Sequence, residues 1–259
     1  MVRQLAFFIL LFIQAISPPA FANKQQEKLT IDLNLSKETV WQREQVIITL
    51  EVKTKDMFAR LDREDFKQDG LSIVPFDLEQ EEKGKDLTLR YQWAVYPFIR
   101  GEQQLKLPRI RYRPNSGRPI TLSLKPLFLK VLSLPIYVPP TMPVGKISLN
   151  SQWDNGHIIL SRRIQHWNIL ADSIGVAPQT LPAITRQLRS NNSLQVLPPQ
   201  RTSKIVKTRG GVLSNNQTKL IRSQIYQVPL KALSMGILKF PEVSVQYFDP
   251  ELGSCRKLR

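Results

Sequence analysis

From Leu29 onward, apolar and polar residues alternate with the two-residue period of a strand rather than the period of a helix. Leu29, Ile31, Leu33 and Leu35 alternate with Thr30, Asp32 and Asn34; Val46, Ile48, Leu50 and Val52 form a second run, and Leu87, Leu89, Tyr91, Trp93 and Val95 a third. Successive side chains on a strand point to opposite faces, so each run is expected to bury one face of a sheet and wet the other. Shorter runs follow at residues 105–107, 110–112, 120–124 and 127–131, separated by turn formers at Gly70, Gly84, Gly101 and Pro114-Asn115-Ser116-Gly117. About seven short antiparallel strands at this spacing predict a β-sandwich over residues 23–138. Residues 57–66 fit the alternation poorly and read as a short helical turn.

Pro135, Pro139, Pro140 and Pro143 then break the pattern. Proline fixes φ and removes a donor, so residues 139–146 read as a stiff, extended, proline-rich linker. Strand-like runs resume at residues 146–149 and 157–160, opening a second β-sandwich over residues 147–259. This half repeats features of the first. Tyr91-Gln92 precedes Gly101 by the same ten residues as Tyr226-Gln227 precedes Gly236. Each glycine is followed, once a two-residue gap is allowed between glycine and proline, by a matching ending, Leu105-x-Leu107-Pro108-x-Ile110-x-Tyr112 against Leu238-x-Phe240-Pro241-x-Val243-x-Val245. Glycine would make the turn between neighbouring strands and proline would sit where an edge leaves no ladder bond to donate. Chance likeness between β-hairpins is the competing explanation. The fold class expected is all-β, with two tandem β-sandwiches.

The first 22 residues stand apart from this pattern. Arg3 supplies a positive start, residues 5–16 an apolar core, and Ala20-Phe21-Ala22 a small-x-small cleavage site, which together predict a signal peptide over residues 1–22. The apolar stretch falls short of the roughly 20 residues a membrane-spanning helix needs, although an anchor or a buried helix is the alternative. No cysteine follows the cleavage point closely, so a lipoprotein is not indicated. Export to the periplasm is the expectation, and Cys255, the one cysteine, can form no intrachain disulfide there. It reads either as an intermolecular or reactive thiol or as an incidental residue in a frayed C-terminal tail.

Charge changes the picture next. The chain carries +16, divided unevenly: residues 23–140 hold 20 basic and 16 acidic side chains, residues 151–259 hold 15 and 5. Between residues 173 and 241 there are ten Lys or Arg and no Asp or Glu. A solvated face is the ordinary explanation, but passive surfaces usually mix signs. Arg186, Arg189, Arg201, Lys204, Lys207 and Arg209 are therefore the candidate contacts for an anionic partner. Nucleic acid is not the expected partner of an exported chain; an anionic membrane surface, acidic glycan or acidic protein fits better.

Reactive constellations are not evident. His157 and His166 are nine residues apart and lack converging Cys or acidic ligands beyond Asp154 and Asp172, so no metal site is expected. There is no Gly-x-Ser-x-Gly elbow, no Gly-x-Gly-x-x-Gly and no Gly-x-x-x-x-Gly-Lys. Asp77, Glu79, Glu81 and Glu82 lack the order of a calcium loop and read as a solvated loop before the Leu87 strand. Asn216-Gln217-Thr218 matches a glycosylation sequon formally and is read as coincidence. No catalytic residue, cofactor or enzymatic activity is expected.

Several segments in order resemble the BatD-type oxygen-tolerance (aerotolerance) proteins of the bacterial Bat operon. They are Glu44-Gln45-Val46-Ile47-Ile48-Thr49-Leu50, then Tyr91-Gln92-Trp93-Ala94-Val95-Tyr96-Pro97-Phe98-Ile99-Arg100-Gly101 with its proline-x-x-x-glycine hairpin. Pro143-Val144-Gly145-Lys146-Ile147-Ser148-Leu149 with Trp153, Gly175-Val176, Leu181-Pro182, and Gly236-Ile237-Leu238-Lys239-Phe240-Pro241 with Tyr247-Phe248-Asp249 complete the series. The resemblance implies a periplasm-facing pair of immunoglobulin-like domains without enzymatic activity. It also implies a scaffold or docking role beside membrane proteins bearing von Willebrand factor A domains and a MoxR-type ATPase. Three features depart from the family pattern. The chain stops at Arg259 with no apolar run matching the family's C-terminal transmembrane helix, which reads as a copy without that helix or as a truncated form. Arg43 stands where the family often has glycine, and Cys255 where it more often has an aromatic or polar residue.

Overall fold

The computed structural model describes residues 29–153, 163–209, 218–234, 238 and 240–259. The signal-peptide segment 1–22, the run at 157–160, His157, Asp154, Gly236 and the sequon at Asn216 lie outside the described residues. Within them the chain is all-β. The N-terminal half contains β1 (Thr30–Leu35), β2 (Thr39–Trp41), β3 (Val46–Thr54), β4 (Arg60–Arg63), β5 (Leu71–Pro75), β6 (Glu79–Lys83), β7 (Asp86–Pro97), β8 (Gly101–Leu105), β9 (Ile110–Arg113), β10 (Ile120–Thr121) and β11 (Leu127–Leu132). The C-terminal half contains β12 (Lys146–Trp153), β13 (Ile164–Ile174), β14 (Leu194–Val196), β15 (Gln200–Arg209), β16 (Thr218–Ala232), β17 (Val245–Asp249) and β18 (Ser254–Leu258). Short 3-10 turns at Pro178–Thr180 and Ile184–Gln187 precede β14.

In the N-terminal half, β1-β3-β7 form one layer, with β5 and β6 both pairing along the far edge of β7. The opposite layer combines β2-β11-β8 with β10-β9-β4. The register sets Val46 against Val95, Ile48 against Trp93, Leu50 against Tyr91 and Val52 against Leu89, so one face of the β3–β7 pair is continuously apolar. That face packs on Val40, Leu61, Leu105, Ile110, Tyr112, Leu129 and Val131 of the other layer. Trp93 is the largest of this core's fully buried side chains, 1% exposed and edge-on to Phe66. Tyr91 shares this core and keeps its hydroxyl satisfied by donating to the Leu61 carbonyl at 2.8 Å, as a buried phenol must.

Several expectations need correction here. Residues 57–66 hold a turn and then β4, not a helical turn, because β4 finds a ladder partner in β9. The acidic segment expected as a loop holds β6; Glu81 and Glu82 are exposed, Glu79 pairs with Arg90 at 3.4 Å, and the backbone pairs with β7. Gly101 does not close a hairpin. Both edges of β7 are occupied, so β8 crosses to the other layer and pairs with β11. One ladder, β2 with β11, is parallel rather than antiparallel. The linker is folded, not extended: the Val138 amide donates to the Pro135 carbonyl at 2.9 Å and the Met142 amide to Pro139 at 3.0 Å, closing two successive turns. Pro140 occupies the second position of the latter, where its fixed φ favours the turn. Lys146, expected as the linker's last residue, opens β12. Cys255 lies in β18 opposite Phe248 of β17 rather than in a tail.

The C-terminal half repeats the layout of the first layer. β12-β13-β16 stand as β1-β3-β7 do, and the far edge of β16 is shared by β14 and β15 as that of β7 is by β5 and β6. In both cases the earlier short strand pairs near the C-terminal end of the central strand and the later one nearer its N-terminal end. Tyr226 on β16 corresponds to Tyr91 on β7; it is 1% exposed and its hydroxyl meets the Pro182 carbonyl at 3.4 Å. The hairpin β9–β10 has its counterpart in β17–β18. A second core gathers Trp167, Ile169, Ile184, Leu194, Tyr226, Val228, Leu230 and Tyr247, with Trp153 stacked on Trp167 at 5.7 Å.

Candidate functional site

The alternation on β7 predicts one wet face, yet every residue from Tyr91 to Pro97 is buried. The reason is the other half of the chain. Ile47, Phe76, Ala94 and Tyr96, on the outer face of the first layer, pack against Ala177 and Leu220 from the C-terminal half, with Val74 and Phe98 alongside. Gln179 adds a hydrogen bond from its amide nitrogen to Ser72 Oγ at 2.8 Å. A second apolar contact closes the seam at the connector, where Phe248 of β17 packs with Val138 and Val144 and meets the Trp41 ring edge-on at 5.5 Å. Phe248 is held there by its backbone: its amide donates to the Pro143 carbonyl and its carbonyl accepts from Gly145.

Arg43 holds the connector itself. It is the one non-glycine residue with positive φ among the described residues, at 67°, in the region that side chains other than glycine adopt at a cost. Its amide donates to the Pro97 carbonyl, and its guanidinium donates to the carbonyls of Pro140, Met142 at 2.9 Å and Pro139 at 3.2 Å. The side chain is 6% exposed, and burial holds its pKa below the usual guanidinium value. The planar fork suits several carbonyls at once. Gln42 adds a bond to the Phe98 carbonyl and accepts one from the Leu134 amide.

Beside the seam lies a cavity of about 90 Å³, lined by Gln45, Ile47, Gly145, Ile174 and Gly175 and flanked by two ion pairs, Lys37–Glu44 at 2.5 Å and Lys146–Glu251 at 2.6 Å. Gly145 has no room for a side chain, since a Cβ there would come within 2.6 Å of the Ile174 carbonyl oxygen. Tyr96, fully buried nearby, accepts a hydrogen bond from Gln45 Nε2 at 2.9 Å. Burial pushes its phenol from 10.0 up to about 12, against smaller opposing effects of Gln45 and Arg222. The fold favours the neutral phenol, so its contribution is complete below pH 10.0 and is lost as pH rises towards about 12. Alkaline titration followed by tyrosinate absorbance should show one phenol ionising near pH 12 together with loss of structure, and Tyr96→Phe should remove that step. An unchanged titration in the variant would show that Tyr96 is not this group.

The six basic candidates are not gathered at one point. Arg186 lies in the 3-10 turn Ile184–Gln187 and Arg189 just beyond it, both exposed. Arg201, Lys204, Lys207 and Arg209 share β15, opposite Tyr226, Ser223, Leu220 and Thr218. Arg201 and Lys204 are exposed and, three apart, stand on opposite faces; Arg201 lies near enough to Tyr226 to oppose the upward push of burial on that phenol. Pairing with β16 occupies one edge of β15, and no ladder covers the other among the described residues. Residues 200–205 are exposed on both faces. This open strand is the feature that charge alone did not reveal.

His166 lies on β13, partly buried. Among the described residues no group of three His, Cys, Asp or Glu is placed to hold a metal ion, and no helix is long and apolar enough to cross a membrane. Cys255 is exposed, its Sγ 3.7 Å from the Met142 sulfur. Sequence reasoning missed the seam and the role of Arg43. The signals were present as two departures: a residue where glycine is common, and an uninterrupted apolar stretch at Ala94-Val95-Tyr96 in an otherwise alternating strand.

No family model matches the chain, and no curated protein matches it. Among solved structures it is similar to FdeC, described as a novel, broadly conserved Escherichia coli adhesin eliciting protection against urinary tract infections. The identity is 11% and the TM-score 0.21; the match covers 83% of this chain and 64% of that one. A likeness at that level carries no weight for the function of this chain.

Proposed function

We propose that the chain is a non-enzymatic periplasmic docking scaffold of the BatD type, built of two immunoglobulin-like domains and exported by a cleaved signal peptide. Its partners are envelope membrane proteins with von Willebrand factor A domains, linked to a MoxR-type ATPase. The order of the sequence segments that resemble that family supports the partner class. The observation that carries the docking role is the seam: an apolar contact, a connector folded into two turns and Arg43 join the halves, while one edge of β15 has no ladder partner among the described residues. A body of this kind offers pre-organised surfaces, which reduces the ordering cost of binding. Cross-linking in intact cells at native expression, followed by pull-down, should recover membrane proteins with von Willebrand factor A domains. Recovery of none would sink the proposal.

The basic C-terminal half supports a second reading, contact with an anionic lipid or glycan surface through Arg186, Arg189, Arg201, Lys204, Lys207 and Arg209. Exposure of Arg201 and Lys204 on an open strand favours it. Binding to vesicles containing anionic lipid should then fall steeply as the screening length shortens to about 8 Å at physiological salt. Binding unaffected by salt would remove this reading and leave the protein-docking one.

A further inference from the structure

The repeat places two hairpins at equivalent positions, and their charges are opposite. β6 runs along β7 near its N-terminal end and carries Glu81 and Glu82, both exposed, with Glu79 ion-paired to Arg90 at 3.4 Å and Lys83 at its end. β15 runs along the corresponding part of β16 and carries Arg201, Lys204, Lys207 and Arg209 with no acidic residue. Each strand has one paired edge, and no ladder covers the other among the described residues. Residues 80–83 and 200–205 are exposed on both faces. Unpaired strand edges are templates for another strand, and charge is the usual means of restricting what may pair there. Like charges set directly opposite destabilise a ladder and opposite charges stabilise it. Joining β15 to β15 sets only basic charges together, and joining β6 to β6 brings Glu81 and Glu82 together with only Lys83 to offset them, whereas β6 of one copy and β15 of another are complementary.

We propose that a second copy of this chain is the occupant of these edges, β6 of one molecule extending the sheet of its neighbour along β15. The two surfaces differ, so the contact is heterologous and runs head to tail: each copy keeps one free acidic edge and one free basic edge, and assembly proceeds to a ring or a line. With only five residues in β6, a single contact is weak and gains from repetition along the array. This holds whether or not the chain docks other envelope proteins.

The test uses the mature chain, under reductant to silence Cys255, followed by sedimentation velocity at concentrations up to the order of 100 μM in low and high salt. Self-association that weakens with salt is expected. Glu81→Lys with Glu82→Lys should reduce the association constant at least tenfold, and so should Lys204→Glu with Lys207→Glu. Mixing the two variants should restore association, because each then meets a complementary edge. Circular dichroism of each variant should match the parent, as Glu81, Glu82 and Lys204 are exposed; if one pair fails to fold, the salt dependence of the parent and the remaining pair decide. A chain that stays monomeric throughout, association that neither reversal weakens, or variants that fail to rescue each other on mixing would each overturn the proposal.

Discussion

Arg43→Ala should lower the stability of the chain by about 3 kcal/mol, while Arg43→Gly should cost only about 2 kcal/mol. The reasoning separates two roles of one residue. The guanidinium satisfies carbonyls of Pro139, Pro140 and Met142 inside the seam, and a hydrogen bond to a charged donor is worth about 1.5–3 kcal/mol net. The three do not sum, because removal also relieves the desolvation that lowers the pKa of Arg43, and the Pro139 carbonyl keeps its bond from the Met142 amide. Both variants lose the side chain. Only glycine recovers the cost of holding φ at 67°, which is about 1 kcal/mol or more for a residue with a Cβ. Arg43→Lys should fall between parent and alanine, since a point charge on a flexible stem cannot address carbonyls in one plane as a fork does. Urea denaturation of the three variants gives the ranking. Equal losses for alanine and glycine would show that positive φ carries no strain here, and no loss in any would show that the connector is held by other contacts.

That ranking bears on how far the sequence could be read. The central strands were legible because one face of each meets the core: Val46 to Val52 and Leu87 to Val95 alternate, and β3 and β7 follow them closely. β6 was not legible, because no residue of Glu79-Gln80-Glu81-Glu82-Lys83 is buried and its extended form rests on backbone pairing with β7 and the Glu79–Arg90 ion pair. β5 and β4 are short and depend in the same way on partners distant in sequence. The tyrosine correspondence between the halves was visible at Tyr91 and Tyr226, and the shared strand layout gives it a structural meaning. The candidate site was legible only in part. Charge marked β15, but an open edge is a property of the assembled sheet, not of composition. The seam was hidden because its members, Ile47, Ala94 and Tyr96 on one side and Ala177 and Leu220 on the other, are separated by long stretches of chain and each reads locally as an ordinary strand residue.

Phe248→Ala should cost about 3–5 kcal/mol, the range for removing a fully buried aromatic ring, and should do so by uncoupling the two halves. Phe248 has no exposed surface. Its ring fills the space between Trp41 of β2, Val138 and Val144 of the connector, and it belongs to neither of the large cores. Alanine leaves the backbone bonds to Pro143 and Gly145 possible but empties the junction, so the loss falls on the seam rather than on either large core. Thermal unfolding should then separate into two transitions, and emission from Trp41, isolated by comparison with a Trp41→Phe background, should shift to the red as its ring partner goes. Phe248→Leu, which keeps most of the volume, should retain a single transition with a much smaller loss. Arg43 and Phe248 act on the same connector, so their losses should not add; residues sharing partners couple by about 0.5–3 kcal/mol. Two independent, additive losses with a single unfolding transition throughout would mean that the halves are joined mainly through Ile47, Tyr96, Ala177 and Leu220, and that the connector only follows.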